Sequence, residues 1–202
     1  MIVFAYKYKR FNMKKILLTV VIVMALNTNS LVAEDNYGFY FGLGYGYTNI
    51  DLEISAINES KQKILDASTD SIVLQAGYDF NKYFGLESRY YINTSSLAFK
   101  YQFANNDLFG EYKAESLVFY IKPQYNFGFF SIYSLLGATY NDYTINNILG
   151  AEDGILFSWG GGAKFNLTST MGIFVDYTNL GESNNKINTN LTSLNMGLSF
   201  KF

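Results

Sequence analysis

The 202-residue chain contains no cysteine, no histidine and one proline. Without cysteine there is no disulfide scaffold, no thiolate zinc site, no thiol nucleophile and no lipid-modified N-terminal Cys. Without histidine, Ser-His-Asp and Cys-His catalysis are excluded, as is every imidazole metal site. Charge is also scarce: 16% of residues are Asp, Glu, Lys or Arg, against about 25% in a typical soluble domain. No apolar run reaches the ~18 residues of a membrane-spanning helix. The space is taken by 18 Tyr, 18 Phe and 17 Gly.

The first 33 residues read as an export signal. Met13-Lys14-Lys15 is a short basic start, and residues 16–26 (ILLTVVIVMAL) are mostly apolar. Asn27-Thr28-Asn29-Ser30 is polar, and Leu31-Val32-Ala33 precedes the acidic Glu34-Asp35. That order is n-region, h-region, then a small residue at the cut. The apolar run is too short to cross about 30 Å of hydrocarbon as a helix. Cleavage after Ala33 and cleavage after Ser30 both remain open. Residues 1–12 are expected to be a non-native upstream extension, 13–33 a signal peptide, and 34–202 the mature fold. Lys7, Lys9, Arg10, Lys14 and Lys15 leave with the leader, so the mature chain has ten basic and 17 acidic residues, a formal net of −7. It has no basic footprint for nucleic acid.

The mature chain alternates with period 2. Tyr37, Phe39, Phe41, Leu43, Tyr45 and Tyr47 interleave with Gly38, Tyr40, Gly42, Gly44, Gly46 and Thr48. One face is large and apolar and the other is mostly glycine, the pattern of a strand with two unlike sides. The pattern recurs at 71–80, 84–92, 116–125, 130–140, 157–165, 173–178 and 194–202, making eight strands. In the fifth the parity is ambiguous; Leu136, Ala138 and Tyr140 are placed on the apolar face, with Gly137 opposite. Connections alternate between tight turns, near Asn81, Asn126 and Leu167, and longer stretches over 50–70, 93–115, 141–154 and 181–190. Short, long, short, long is the topology of an outer-membrane barrel.

A soluble barrel would turn its apolar face inward. Here the other face carries Asp79, Glu87, Arg89, Lys122, Lys164 and Asp176 among Gly and Ser, a composition suited to a narrow lumen. Aromatics crowd the short turns (Tyr78, Phe80, Tyr83, Phe84, Tyr125, Phe127, Phe129, Phe130), as in an interfacial girdle. The expected fold is therefore all-β: an eight-stranded antiparallel up-and-down transmembrane β-barrel.

The final LNMGLSFKF, with Leu194, Met196, Leu198, Phe200 and Phe202 at every second position, is similar to the C-terminal signature of outer-membrane barrels. AGYDFNKYFGLESRYY (76–91), LVFYIKPQYNFG (117–128) and SWGGGAKFNLT (158–168) resemble the OmpA/opacity-type eight-stranded barrel family, often labelled porin family. That resemblance implies a bacterial outer-membrane location. It also implies that the barrel-assembly machinery reads the terminal signature. No stretch of the sequence resembles a periplasmic peptidoglycan-binding domain, so the cell-wall role of full-length OmpA is not carried over.

Counted from the nearest short turn, the six lumen charges fall within roughly one 10 Å layer. Three acids and three bases should pair, because unpaired buried charge is prohibitive. Glu87 is expected to pair with Lys122 or Arg89. Two roles stay open: a structural plug, or a gate on a narrow water path, as the OmpA resemblance suggests. The long connections could present a surface for host, phage or other ligands, or bridge to lipopolysaccharide through calcium; they could equally be plain solvated loops. Two function classes follow. One is a structural, surface-interacting barrel, expected as a monomer in lipid and lipopolysaccharide. The other is a narrow porin-like channel; a wide porin needs about 16 to 18 strands. An enzyme is not expected, since the barrel enzymes of such membranes resemble one another in using a catalytic His. No cofactor is expected.

Overall fold

The computed structural model describes residues 37–55, 61–94, 97–103, 106–146, 154–184 and 187–202. The expected upstream extension and signal peptide lie outside them.

Nine strand segments follow one another: β1 (Gly38–Ser55), β2 (Lys61–Asn81), β3 (Phe84–Asn93), β4 (Leu97–Phe103), β5 (Asn106–Asn126), β6 (Phe130–Asn146), β7 (Gly154–Asn166), β8 (Met171–Asn184) and β9 (Ile187–Lys201). The sheet order is β3-β2-β1-β9-β8-β7-β6-β5-β4. β3 also pairs with β5, which closes the sheet. β4 pairs with the first part of β5, and β3 takes the part that follows. Eight staves therefore surround the lumen, all pairs antiparallel.

β4 pairs with β5 alone, but the β3–β5 ladder closes the eight-stave wall, within which each strand's backbone groups are satisfied by two neighbours. That is the condition for crossing hydrocarbon with strands. The alternation then decides the faces. Phe41, Leu43, Tyr45 and Tyr47 on β1 are exposed, as are Leu194, Met196, Leu198 and Phe200 on β9. The intervening Gly42, Gly46, Thr48, Ser193, Asn195 and Ser199 are buried. An apolar outside around a polar, buried inside inverts the soluble barrel and fits a lipid surround. In β6 the register sets Leu136, Ala138 and Tyr140 beside Ile121, Phe119 and Leu117, on the outward face expected for them.

The short turns are built as the sequence suggests. Asn81 Oδ1 accepts the Tyr83 N–H at 2.8 Å, and Asn126 Oδ1 accepts the Gly128 N–H at 2.7 Å. Gly128 has φ +92°, which glycine adopts without a Cβ penalty. Rings link around this end: Phe39–Tyr78, Tyr78–Phe80, Phe80–Phe84, Tyr83–Tyr125, Tyr125–Phe127, Phe127–Phe130 and Phe130–Phe165 have centroids 4.6 to 6.3 Å apart. Two runs of contacting rings result, one from Phe39 to Phe84 across β1–β3 and one from Tyr83 to Phe165 between the β2–β3 turn and β7.

Of the connections expected to be long, 93–115 carries the hairpin that the alternation of Leu97, Phe99, Tyr101 and Phe103 suggests, formed by β4 and the first part of β5, while the others differ from expectation. β1 runs to Ser55 and β2 starts at Lys61; β6 runs to Asn146, and β8 and β9 extend to Asn184 and from Ile187. Much of each expected loop is paired strand. Hydrophobic alternation ends at the membrane edge, but backbone pairing needs no apolar side chains and continues beyond it. The connecting stretches at 56–60, 95–96, 104–105, 147–153 and 185–186 lie outside the described residues.

Candidate functional site

The lumen is the candidate site. β2, β3, β5, β7, β8 and β9 each aim a charged side chain into it, because inward positions recur at every second residue. Six of these charges are those expected from alternation. Arg89, Asp176, Asp79, Lys122 and Glu87 are buried, while Lys164 retains 16% side-chain exposure. The seventh is Lys201, on the inward face of the last strand, which the sequence pattern does not single out.

Arg89 is fully buried. Its two terminal nitrogens each donate to one Asp176 carboxylate oxygen at 2.8 Å, and Nε donates to Glu87 Oε1 at 2.5 Å. Asp176 also accepts from Tyr133 Oη at 2.6 Å and Asn195 Nδ2 at 2.8 Å. A carboxylate with four donors is fully satisfied, which is how a buried charge is tolerated. The Arg89 guanidinium lies 5.9 Å from the Tyr120 ring centroid and 5.7 Å from that of Phe174.

A second cluster sits nearer the short turns. Lys122 Nζ is 2.8 Å from Asp79 Oδ1 and 3.7 Å from Glu87. It donates to Tyr40 Oη at 2.7 Å, and the Tyr40 hydroxyl in turn donates to Glu87. Lys164 and Lys201 each stand 3.9 Å from Asp79 Oδ2. Glu87 therefore joins the two clusters into one network, and it touches both bases expected for it.

On the far side of Arg89 the described buried residues are uncharged but polar. Thr48 reaches Ser71 at 3.1 Å and Ser193 at 3.0 Å, and Tyr91 reaches Thr178 at 3.2 Å. Leu135 is buried on the inward face, level with Thr178 across Gly160, and Phe174 is buried on the short-turn side of Asp176. The glycines make room for the larger rings. A Cβ on Gly77 would lie 2.4 Å from Tyr40, and Cβ atoms on Gly44 and Gly197 would lie 2.8 and 2.7 Å from the Phe174 ring. The inward glycines read from the sequence are thus seats for inward aromatics that were not singled out.

Tyr40, Tyr133, Tyr91, Asn195 and Phe174 were missed as members of the site. Their parity placed them inward, but aromatic rings suit either face of a barrel, and only the charges stood out.

The C-terminal residues Leu194, Met196, Leu198, Phe200 and Phe202 form an exposed outward row, with Phe202 N–H donating to Phe39 O at 3.0 Å. At the opposite end of the barrel, outward tyrosines meet outward acids: Tyr45 donates to Asp70, and Tyr90 donates to Glu115. Glu115 faces Asp142 across β5–β6.

The family described as outer membrane protein beta-barrel domain matches residues 16–202. Among solved structures the chain is similar to OprG from Pseudomonas aeruginosa, at 14% identity and TM-score 0.58, over 82% of this chain and 96% of that one. It is similar to Neisserial surface protein A at 17% identity and TM-score 0.53, over 82% and 97%. It also matches Ail of Yersinia pestis, crystallised with the heparin analogue sucrose octasulfate, at 18% identity and TM-score 0.48, over 81% and 99%. No curated protein sequence matches the chain significantly.

Proposed function

The chain belongs to the outer membrane protein beta-barrel domain family, and from that premise we propose a structural and surface-interacting role in the bacterial outer membrane. The observation that carries this reading is the filled lumen. Fully buried Arg89, clamped between Asp176 and Glu87 and flanked by Phe174 and Tyr120, occupies the cross-section. Eight strands enclose a bore that side chains can fill, so the ion pairs act as a plug that ties non-adjacent strands together. The chemistry proposed for the protein is non-enzymatic and needs no cofactor.

Partners follow from the two ends and the outer face. Outer-membrane lipid covers the apolar band. The outward carboxylates Asp70, Glu115 and Asp142 suit a rim that meets lipopolysaccharide through divalent cations. The barrel-assembly machinery would read the row from Leu194 to Phe202. A host, phage or surface ligand would meet the strand extensions past the membrane. The protein is proposed to be a monomer, exported through a cleaved signal peptide.

A second reading rests on Glu87. It lies 2.5 Å from Arg89 and 3.7 Å from Lys122, so exchange of its partner would loosen the plug and open a narrow, porin-like path. Single-channel recording of the refolded mature protein in a planar bilayer separates the two, with insertion verified by heat-modifiable gel mobility. A folded, inserted and silent barrel is the result expected of the plug. Discrete steps that change on Glu87→Gln or Lys122→Met would overturn it in favour of the gate.

A further inference from the structure

The lumen charges do not cancel. Among the described residues, three acids (Asp79, Glu87, Asp176) face four bases (Arg89, Lys122, Lys164, Lys201), and the excess is local. Arg89 is neutralised by Asp176 and Glu87. What remains near the short turns is one carboxylate, Asp79, among three ammonium groups. Lys122 holds Asp79 Oδ1 at 2.8 Å, while Lys164 and Lys201 flank the other oxygen at 3.9 Å, beyond hydrogen-bond reach.

These two lysines occupy a definite place. Lys201 is the last residue of β9 and Lys164 lies two residues before the end of β7, so both stand just inside the mouth that carries the short turns. In this family architecture the short turns are periplasmic. Their side chains are 16% and 13% exposed: open to the mouth, yet stripped of most hydration. Ser199, buried on the same inward face, lines one small cavity with both lysines. Two part-buried like charges that share a single acceptor repel each other, and an anion bridging them removes that repulsion while filling their free donors. Donors spread over two strands suit an acceptor with several oxygens better than a point halide.

We propose that the periplasmic mouth binds a phosphate-type oxyanion between the Lys164 and Lys201 ammonium groups. The site is independent of whether the lumen above it conducts. Its test uses the processed protein refolded in a sugar-headgroup detergent free of phosphate. Inorganic phosphate is titrated at constant ionic strength while backbone amide shifts are followed by NMR. Saturable shifts are expected at Lys164, Gly172, Ser199 and Lys201. Binding should weaken about tenfold or more in K164Q/K201Q, persist in K164R/K201R and stay unchanged in K82Q, whose lysine lies on a turn outside the lumen. The single variant K201Q, which removes only the 3.9 Å contact with Asp79 from the network, serves if the double variant does not fold. The same shifts on adding short-chain phosphatidylglycerol, without a response to inorganic phosphate, would assign the oxyanion to a lipid headgroup. Absence of saturation with both, or equal weakening by K82Q, would overturn the site.

Discussion

Arg89 on β3 and Asp176 on β8 are 87 positions apart in sequence and meet across the barrel through two parallel 2.8 Å hydrogen bonds. Their strands are not neighbours in the sheet. The pair therefore acts as a strut across the lumen, in parallel with the backbone ladder around it. Removing one partner strands the other as a buried charge. Asp176→Asn and Arg89→Met should each lower unfolding free energy by about 3–5 kcal/mol, measured by urea unfolding in lipid vesicles. The double replacement should cost less than the sum of the singles. Strict additivity would show that the strut does not couple the two residues.

Glu87 tests whether the two charge clusters are one network. Its contact with Arg89 is 2.5 Å and its contact with Lys122 is 3.7 Å. Double-mutant cycles should give coupling with both bases, the larger with Arg89, within the range of about 0.5–3 kcal/mol seen for contacting residues. No coupling with either base would dissolve the link through Glu87. Larger coupling to Lys122 would mean that the pairing in the membrane is the exchanged one.

The extent to which this was legible in the sequence follows from what period 2 encodes. Alternation places every inward residue inward, and so the six charges came out on one face together. It carries no information on reach. Lys201 has the right parity, but two long side chains approaching Asp79 Oδ2 from β7 and β9, with β8 between them, depend on stagger and on lumen width, which the local pattern does not contain. Outside 93–115, where alternation continues, the strand ends are hidden for a related reason. The outward apolar signal stops where lipid stops, whereas the β1–β2 ladder pairs on to Ser55 and Lys61. The glycines were recognised as small, but that Gly77 seats Tyr40 and Gly44 seats Phe174 needed the register.

Those seats make a graded prediction. A Cβ at position 137 would fall 1.9 Å from the Phe119 backbone oxygen, which cannot move without breaking the β5–β6 ladder. For a Cβ at position 42 the three nearest atoms all belong to the Gln75 side chain, at 2.4 to 2.8 Å, and a flexible side chain can swing away. At position 161 the nearest atom is 3.3 Å distant. Gly137→Ala should therefore be the worst of the three, costing about 1–3 kcal/mol or more. Gly42→Ala should be milder and be relieved by Gln75→Ala. Gly161→Ala should be close to neutral. Equilibrium unfolding of the three variants in one lipid decides the order, and equal losses would mean that the lumen repacks freely.

The terminal row separates assembly from stability. Phe202 is 70% exposed on the outward face, and its contribution to the barrel is the backbone bond from its N–H to Phe39 O at 3.0 Å. Phe202→Ala keeps that bond and removes only a ring at the lipid interface. Its unfolding free energy should stay within about 0.5 kcal/mol of the parent, as for substitutions away from packed features, and spontaneous refolding into vesicles should proceed at an unchanged rate. If the assembly machinery reads the row ending at Phe202, insertion into vesicles that contain the machinery should slow in the same variant. Leu194→Ala, an outward residue at the opposite end of that row, provides the comparison: it should slow assembly less if the terminal ring leads recognition. A variant that slows both routes equally would place the effect of Phe202 in folding itself, because a ring needed for barrel closure is needed whether or not a machine assists.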